Sequence, residues 1–90
     1  MNYLHYDLDL AAGDVVEVTL DKQANVRLLD EINFSNYRSG AHHTYHGGGL
    51  AKQSPVRLAP PHAGRWYLVI DLGGYPGTVR ASVRTLRSAA

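Results

Sequence analysis

The residue pattern predicts an all-β fold, a small antiparallel β-sandwich that is jelly-roll-like, with one long loop and at most one short helical turn. Three observations lead there. Six segments alternate apolar and polar residues with the period of two that marks a half-buried strand. Glycine, proline and aspartate punctuate the chain roughly every 8–12 residues, the spacing of turns in sandwiches and barrels. The densest stretch, from Pro60 through Gly64-Arg65-Trp66-Tyr67-Leu68-Val69-Ile70-Asp71-Leu72 to Gly73-Gly74, reads as a turn, a buried strand and a second turn.

The first strand is expected over Asn2 to Leu10, with Leu4, Tyr6, Leu8 and Leu10 on one face and His5, Asp7 and Asp9 on the other. Ala11-Ala12-Gly13-Asp14 breaks it. The next runs from Asp14 to Leu20, with Val16, Val18 and Leu20 inward, and its β-branched content suits a pleated surface. Asp21-Lys22-Gln23 is a polar turn, and Asn25 to Leu29 is a short third strand. Asp30 to Gly49 is read as the long loop. Its Asn33, Ser35, Asn36, Ser39 and Gly40 allow one helical turn within Glu31 to Arg38, and Phe34, Tyr37 and Tyr45 would pack it down. An additional short strand is allowed within residues 41–52. Pro55 opens a strand through Val56, Arg57 and Leu58, a position where its missing N–H is tolerated. Arg65 to Leu72 is the central strand, with Trp66, Leu68, Ile70 and Leu72 on the core face. Thr78 to Leu86 is the last, with Val79, Ala81 and Val83 inward and Arg80, Ser82 and Arg84 outward. The domain is expected to cover residues 1–86, with 87–90 as a frayed tail.

Ninety residues make one domain, and a chain of this size buries only about 60% of its unfolded surface. With no cysteine, no disulfide or thiolate metal site supplements the core, so stabilisation by a second copy of the chain, a homodimer, is a natural expectation. Nine basic and eight acidic residues leave a formal charge of +1, which gives no electrostatic case for nucleic acid or an anionic membrane. No apolar run approaches the ~20 residues of a membrane helix. The first ten residues carry Asp7 and Asp9 and lack the pattern of a signal peptide, so a cytoplasmic location is expected.

His42, His43 and His46 are the candidate metal ligands, since neutral imidazole is the commonest such donor. Three glycines follow at once and no carboxylate stands beside them, so a solvated loop is the favoured reading. Asp7 and Asp9 share a strand face, but paired carboxylates that hydrolyse glycosides line a deep cleft. Asp14, Asp21, Asp30 and Glu31 fall at strand ends without the spacing of a calcium loop, and turn chemistry accounts for them. There is no nucleophile elbow, and Gly47-Gly48-Gly49 lacks the Lys-Ser/Thr of a phosphate loop, so free loop geometry is its default. Arg80 and Arg84 form an outward stripe that suits an anionic partner; if the last two strands form a hairpin, Asp71 would stand opposite Arg80 and Tyr67 opposite Arg84. Tyr37, Tyr45 and Tyr75, with Asn36, supply the flat apolar faces and polar handles of a ligand surface, although loop tyrosines also pin loops onto a thin core.

Together, Leu4-His5-Tyr6-Asp7-Leu8, Gly13-Asp14-Val15-Val16-Glu17-Val18, Asn36-Tyr37 before the glycine run, Ser54-Pro55-Val56-Arg57-Leu58 and the Gly64 to Gly74 segment resemble a bacterial family known only as a domain of unknown function, numbered eighteen eighty-three. The resemblance covers about residues 1–86. It implies a compact β-sandwich, found alone or attached to a Toll/interleukin-1 receptor domain, and it implies no catalytic residue. A looser likeness, to the accessory jelly-roll domains of secreted bacterial peptidases, bears on fold alone.

The functional expectation is a non-catalytic binding or interaction domain, a sensing or docking module for a protein or small-molecule ligand, with no cofactor. Its ligand-binding candidates are Asn36, Tyr37, Tyr45, Tyr75, Arg80 and Arg84. The alternative is a carbohydrate or small-molecule binder that uses the 33–49 loop. More remote is a small metal-dependent enzyme built on His42, His43 and His46.

Overall fold

The computed structural model describes residues 3–88 as seven strands and one helix: β1 (Tyr3–Leu10), β2 (Val15–Leu20), β3 (Ala24–Leu29), α1 (Glu31–Ser39), β4 (Gly48–Ala51), β5 (Val56–Leu58), β6 (Gly64–Asp71) and β7 (Ala81–Leu86). They form a four-stranded sheet of order β1-β6-β3-β4 and a three-stranded sheet of order β5-β2-β7, antiparallel throughout. Every strand-to-strand connection except β3 to β4 passes from one sheet to the other, the alternation of a jelly-roll-like sandwich. The additional strand allowed within residues 41–52 is β4.

The period-two faces meet between the sheets. Val16 and Val18 of β2 pack with Val26 and Leu28 of β3, Trp66, Leu68 and Ile70 of β6, Leu10 and Leu58. Each side chain of this size contributes about 1.5–3 kcal/mol on burial. Trp66 is fully buried, and its indole N–H donates to the His62 carbonyl at 3.1 Å. β6 is buried on both faces. Val69 and Tyr67 point away from the sandwich and, with Leu29, receive Phe34 of α1, whose ring stacks on Tyr67 at 4.3 Å.

The structure corrects four expectations. Glu31–Ser39 is a full nine-residue helix rather than one turn. Asp30 is its N-cap, accepting from the Asn33 N–H, and Gly40 closes it in the left-handed region that glycine adopts freely. The proposed hairpin does not exist, because β6 and β7 lie in different sheets; Asp71 does not face Arg80, nor Tyr67 Arg84. β7 begins later than expected because Arg80 exchanges hydrogen bonds with Asp21 at the sheet-crossing turn instead of joining the ladder. The glycine run is not free loop. Gly48 and Gly49 pair with Arg27 and Val26, and a β-carbon at Gly48 would overlap the Val26 carbonyl.

Arg87 and Ser88, in the segment expected to fray, are held by Asp14: its carboxylate accepts from the Arg87 guanidinium at 2.9 Å and the Ser88 N–H at 2.8 Å. Residues 89 and 90 of that segment, and Met1 and Asn2, lie outside the described residues.

Candidate functional site

Strand alternation puts Asn25 and Arg27 on the outer face of β3 and Asp71 on the outer face of β6, and the register sets Asn25 opposite Asp71. Helix α1 covers the neighbouring part of this face and brings Tyr37 over it. The buried Asp71 carboxylate then accepts from the Tyr37 hydroxyl at 2.6 Å, Asn25 Nδ2 at 2.9 Å, Arg27 Nη1 at 3.1 Å and the Gly73 N–H at 2.8 Å. Burial pushes this carboxyl up, but the hydrogen bonds from Tyr37, Asn25 and Gly73, with the charge of Arg27, outweigh it and hold Asp71 below the ordinary aspartate value. Burial and the bond to Asp71 push the Tyr37 phenol well above the tyrosine range, so it stays protonated.

This carboxylate fastens a helix, a strand and a turn together, and the turn shapes a cleft. Gly73, in the left-handed region, follows Asp71 and lets the chain double back, with the Tyr75 N–H donating to the Leu72 carbonyl at 3.2 Å. Tyr75 thereby stands at the end of β3 beside β4. Gln23, Ala24, Asn25, Leu50, Leu72, Gly73 and Tyr75 line a cleft of about 440 Å³. Leu50 pairs with Asn25 across β3–β4. Farther along the same face Tyr45 lies against Arg27, the guanidinium carbon 5.4 Å from the ring centroid. Tyr75 is 79% exposed, Leu50 54% and Tyr45 45%, so three large apolar side chains stand in water along one stretch of sheet, with the Asn25 and Gln23 amides between them. The arrangement offers stacking surfaces and amide hydrogen bonds. Its carboxylate is ionised and occupied, and its phenol is held as a donor.

The expected site residues divide. Tyr45 and Tyr75 belong to this face. Tyr37 lies beneath it as a fastening. Asn36 sits on α1, where its carbonyl accepts from Ala41 and Ser39 at the helix end. Arg84 belongs to the other sheet, and Arg80 to the turn that precedes β7. In that sheet Glu17 stands in register between Arg57 and Arg84, and both guanidiniums donate to its carboxylate, at 3.1 and 2.8 Å. The histidines do not converge. His43 packs edge-on to Tyr37, His46 packs edge-on to Trp66 with Nε2 3.6 Å from Asp30, and His42 is exposed. Among the described residues no group of three or more histidine, cysteine, aspartate or glutamate side chains is placed to hold a metal ion.

Sequence reasoning missed Asn25, Leu50, Leu72 and Gln23. Each is ordinary in its own strand or turn, and only the pairing of β3 with β4 on one side and with β6 on the other brings them together. Period-two alternation puts Asp71 on the outer face, which is correct, while its side-chain partners Tyr37, Asn25 and Arg27 are long-range.

No curated protein and no solved structure matches the chain. The model of the family described as a domain of unknown function (DUF1883) matches residues 1–89, and the chain belongs to that family.

Proposed function

We propose that the chain is a non-catalytic interaction domain that receives a segment of a protein partner in the cleft between Tyr75 and Leu50. The observation that supports this reading is the alignment of exposed Tyr75, Leu50 and Tyr45 along one outer sheet face. Aromatic and apolar side chains that stand in water, rimmed by groups able to form hydrogen bonds, are the composition of binding hot spots. The Asp71 hydrogen bonds tie the turn before Tyr75 to Asn25 of β3, which holds one wall of the cleft in place. A carbohydrate ligand is the second reading, favoured by the Asn25 and Gln23 amides beside the flat face of Tyr75.

The test is selection of peptides from a random library on the immobilised protein, followed by calorimetric titration, with a panel of simple sugars in parallel. Selected peptides should bind wild type and lose about fivefold or more in affinity with Tyr75→Ala and with Leu50→Ala. Arg84→Ala, on the opposite sheet, should leave binding unchanged. Sugars binding with the same Tyr75 dependence would replace the peptide by a carbohydrate. The absence of any Tyr75-dependent ligand in either panel would overturn the assignment of this cleft.

A further inference from the structure

Three of the four sheet edges carry features that discourage pairing with another chain, and β1 carries fewest of them. β4 is four residues long and begins with two glycines; β5 is three residues long and follows Pro55; β7 holds Arg84, is flanked by Arg80 and Arg87, and has no acid. β1 is eight residues long, has no Pro, Gly or Lys, and follows β6 in continuous register. Among the described residues no strand pairs with its other side.

The ladders determine which backbone groups face that open side. Leu28 turns both of its groups toward the β4 side, accepting from His46 and donating to Gly47, so the odd residues of β3 bond β6. Because Asn25 is opposite Asp71, odd residues of β6 bond β3 and even ones bond β1. Because Leu4 is opposite Ile70, even residues of β1 bond β6. Tyr3, His5, Asp7 and Asp9 therefore present N–H and C=O to the open edge. The Arg87 guanidinium donating to the Asp9 carbonyl at 3.0 Å agrees with this parity.

We infer that β1 pairs antiparallel with β1 of a second copy of the chain, centred on Tyr6. Hydrogen-bond parity requires odd residues to face odd. A centre on Asp7 sets two aspartates against each other, and a centre on His5 sets two histidines against each other and leaves Asp7 opposite the partner's Tyr3. A centre on Tyr6 sets Asp7 opposite the partner's His5 and His5 opposite the partner's Asp7. An imidazole N–H facing a carboxylate across a ladder supplies it with a hydrogen-bond donor, whereas like charges directly opposite oppose pairing. Asp9 is matched within its own chain by Arg65 at 2.8 Å, and His5 Nδ1 lies 3.1 Å from Asp7 Oδ1, so this register sets two His5–Asp7 pairs head to tail, each carboxylate beside an imidazole of the other copy. On the inner face the same register brings Leu4, 38% exposed, against the partner's Leu8. Two four-stranded sheets thereby join into one continuous sheet. This edge is opposite β4 in the sheet, so the pairing is independent of the cleft.

Sedimentation equilibrium on the whole chain tests it, with circular dichroism to confirm that each variant is folded. Wild type should show twice the 9.9 kDa chain mass in the micromolar range. His5→Asp, which sets acid against acid twice per dimer, should weaken association about tenfold. The double variant His5→Asp/Asp7→Lys restores opposite charges in this register alone and should recover it. Tyr75→Ala should leave the mass unchanged. A monomeric wild type at high micromolar concentration, or a dimer indifferent to His5→Asp, or a double variant no tighter than the single, would each overturn the inference.

Discussion

A carboxylate taken out of water needs donors to replace those it loses, and Asp71 finds four of them on three separate pieces of chain: the helix through Tyr37, β3 through Asn25 and Arg27, and the following turn through Gly73. Hydrogen bonds to an ionised group contribute more than neutral ones, so Tyr37→Phe should cost about 1.5–2 kcal/mol in urea denaturation while leaving the fold intact. A loss below about 0.5 kcal/mol would mean that the phenol contributes nothing to docking the helix. Gly48→Ala is the second residue-scale case. Its backbone lies in a region that side chains rarely adopt, and the new methyl would meet the Val26 carbonyl rather than a movable side chain. A loss of roughly 2 kcal/mol or more is expected in the same measurement, from displacement of β4 and of Leu50 on it. The outward face of Asp71 was legible from alternation alone. Its partners were not, because they depend on β3 lying beside β6, and a strand's neighbours are set by the whole topology rather than by local pattern.

At the scale of elements, the strands were legible and the helix was not. Val16 and Val18, or Trp66, Leu68 and Ile70, repeat often enough to declare their period. In α1 only Phe34 is buried, and Asn33, Ser35 and Asn36 are weak helix formers, so no apolar stripe appears. The signals present were at its ends: Asp30 before the first turn, Glu31 within it, Arg38 in the last, and Gly40 beyond. A helix with so little apolar periodicity leans on its caps. Asp30→Ala should cost about 1 kcal/mol and should selectively raise hydrogen exchange in residues 31–39. Unchanged exchange there would show that packing of Phe34 on Tyr67 holds the helix without its cap. The strip of Tyr45, Leu50 and Tyr75 was half legible: its tyrosines stood out as loop aromatics, whereas nothing local singled out Leu50, whose exposure follows from β4 lying at the sheet edge.

For the whole molecule, the carboxylates that tie its parts together also set its response to acid. Hydrogen bonds from the Ala11 and Ser88 backbone, with Arg87, hold Asp14 below the ordinary aspartate value; Arg84, with Arg57, does the same for Glu17. The Asn33 N–H, with the Asn33 side chain and His46, lowers Asp30, and Asp71 is lowered by Tyr37, Asn25, Gly73 and Arg27 against its burial. A group whose folded pKa lies below its unfolded value binds more protons when unfolded, so acid favours unfolding. The stability these four contribute is complete above about pH 5 and is lost as the pH falls through the ordinary carboxylate range toward the folded values. The losses should come as one cooperative transition, because Asp14 closes the sequence ends of the described sandwich, Glu17 links the three strands of one sheet, and Asp30 and Asp71 hold the helix on the other. Urea midpoints should therefore be flat from pH 7 to about pH 5 and drop steeply below about pH 4. Asp71→Asn removes one titrating group, so it should start from a lower midpoint at pH 7 and fall less steeply. A variant profile parallel to wild type would show that Asp71 is not among the groups whose protonation unfolds the domain.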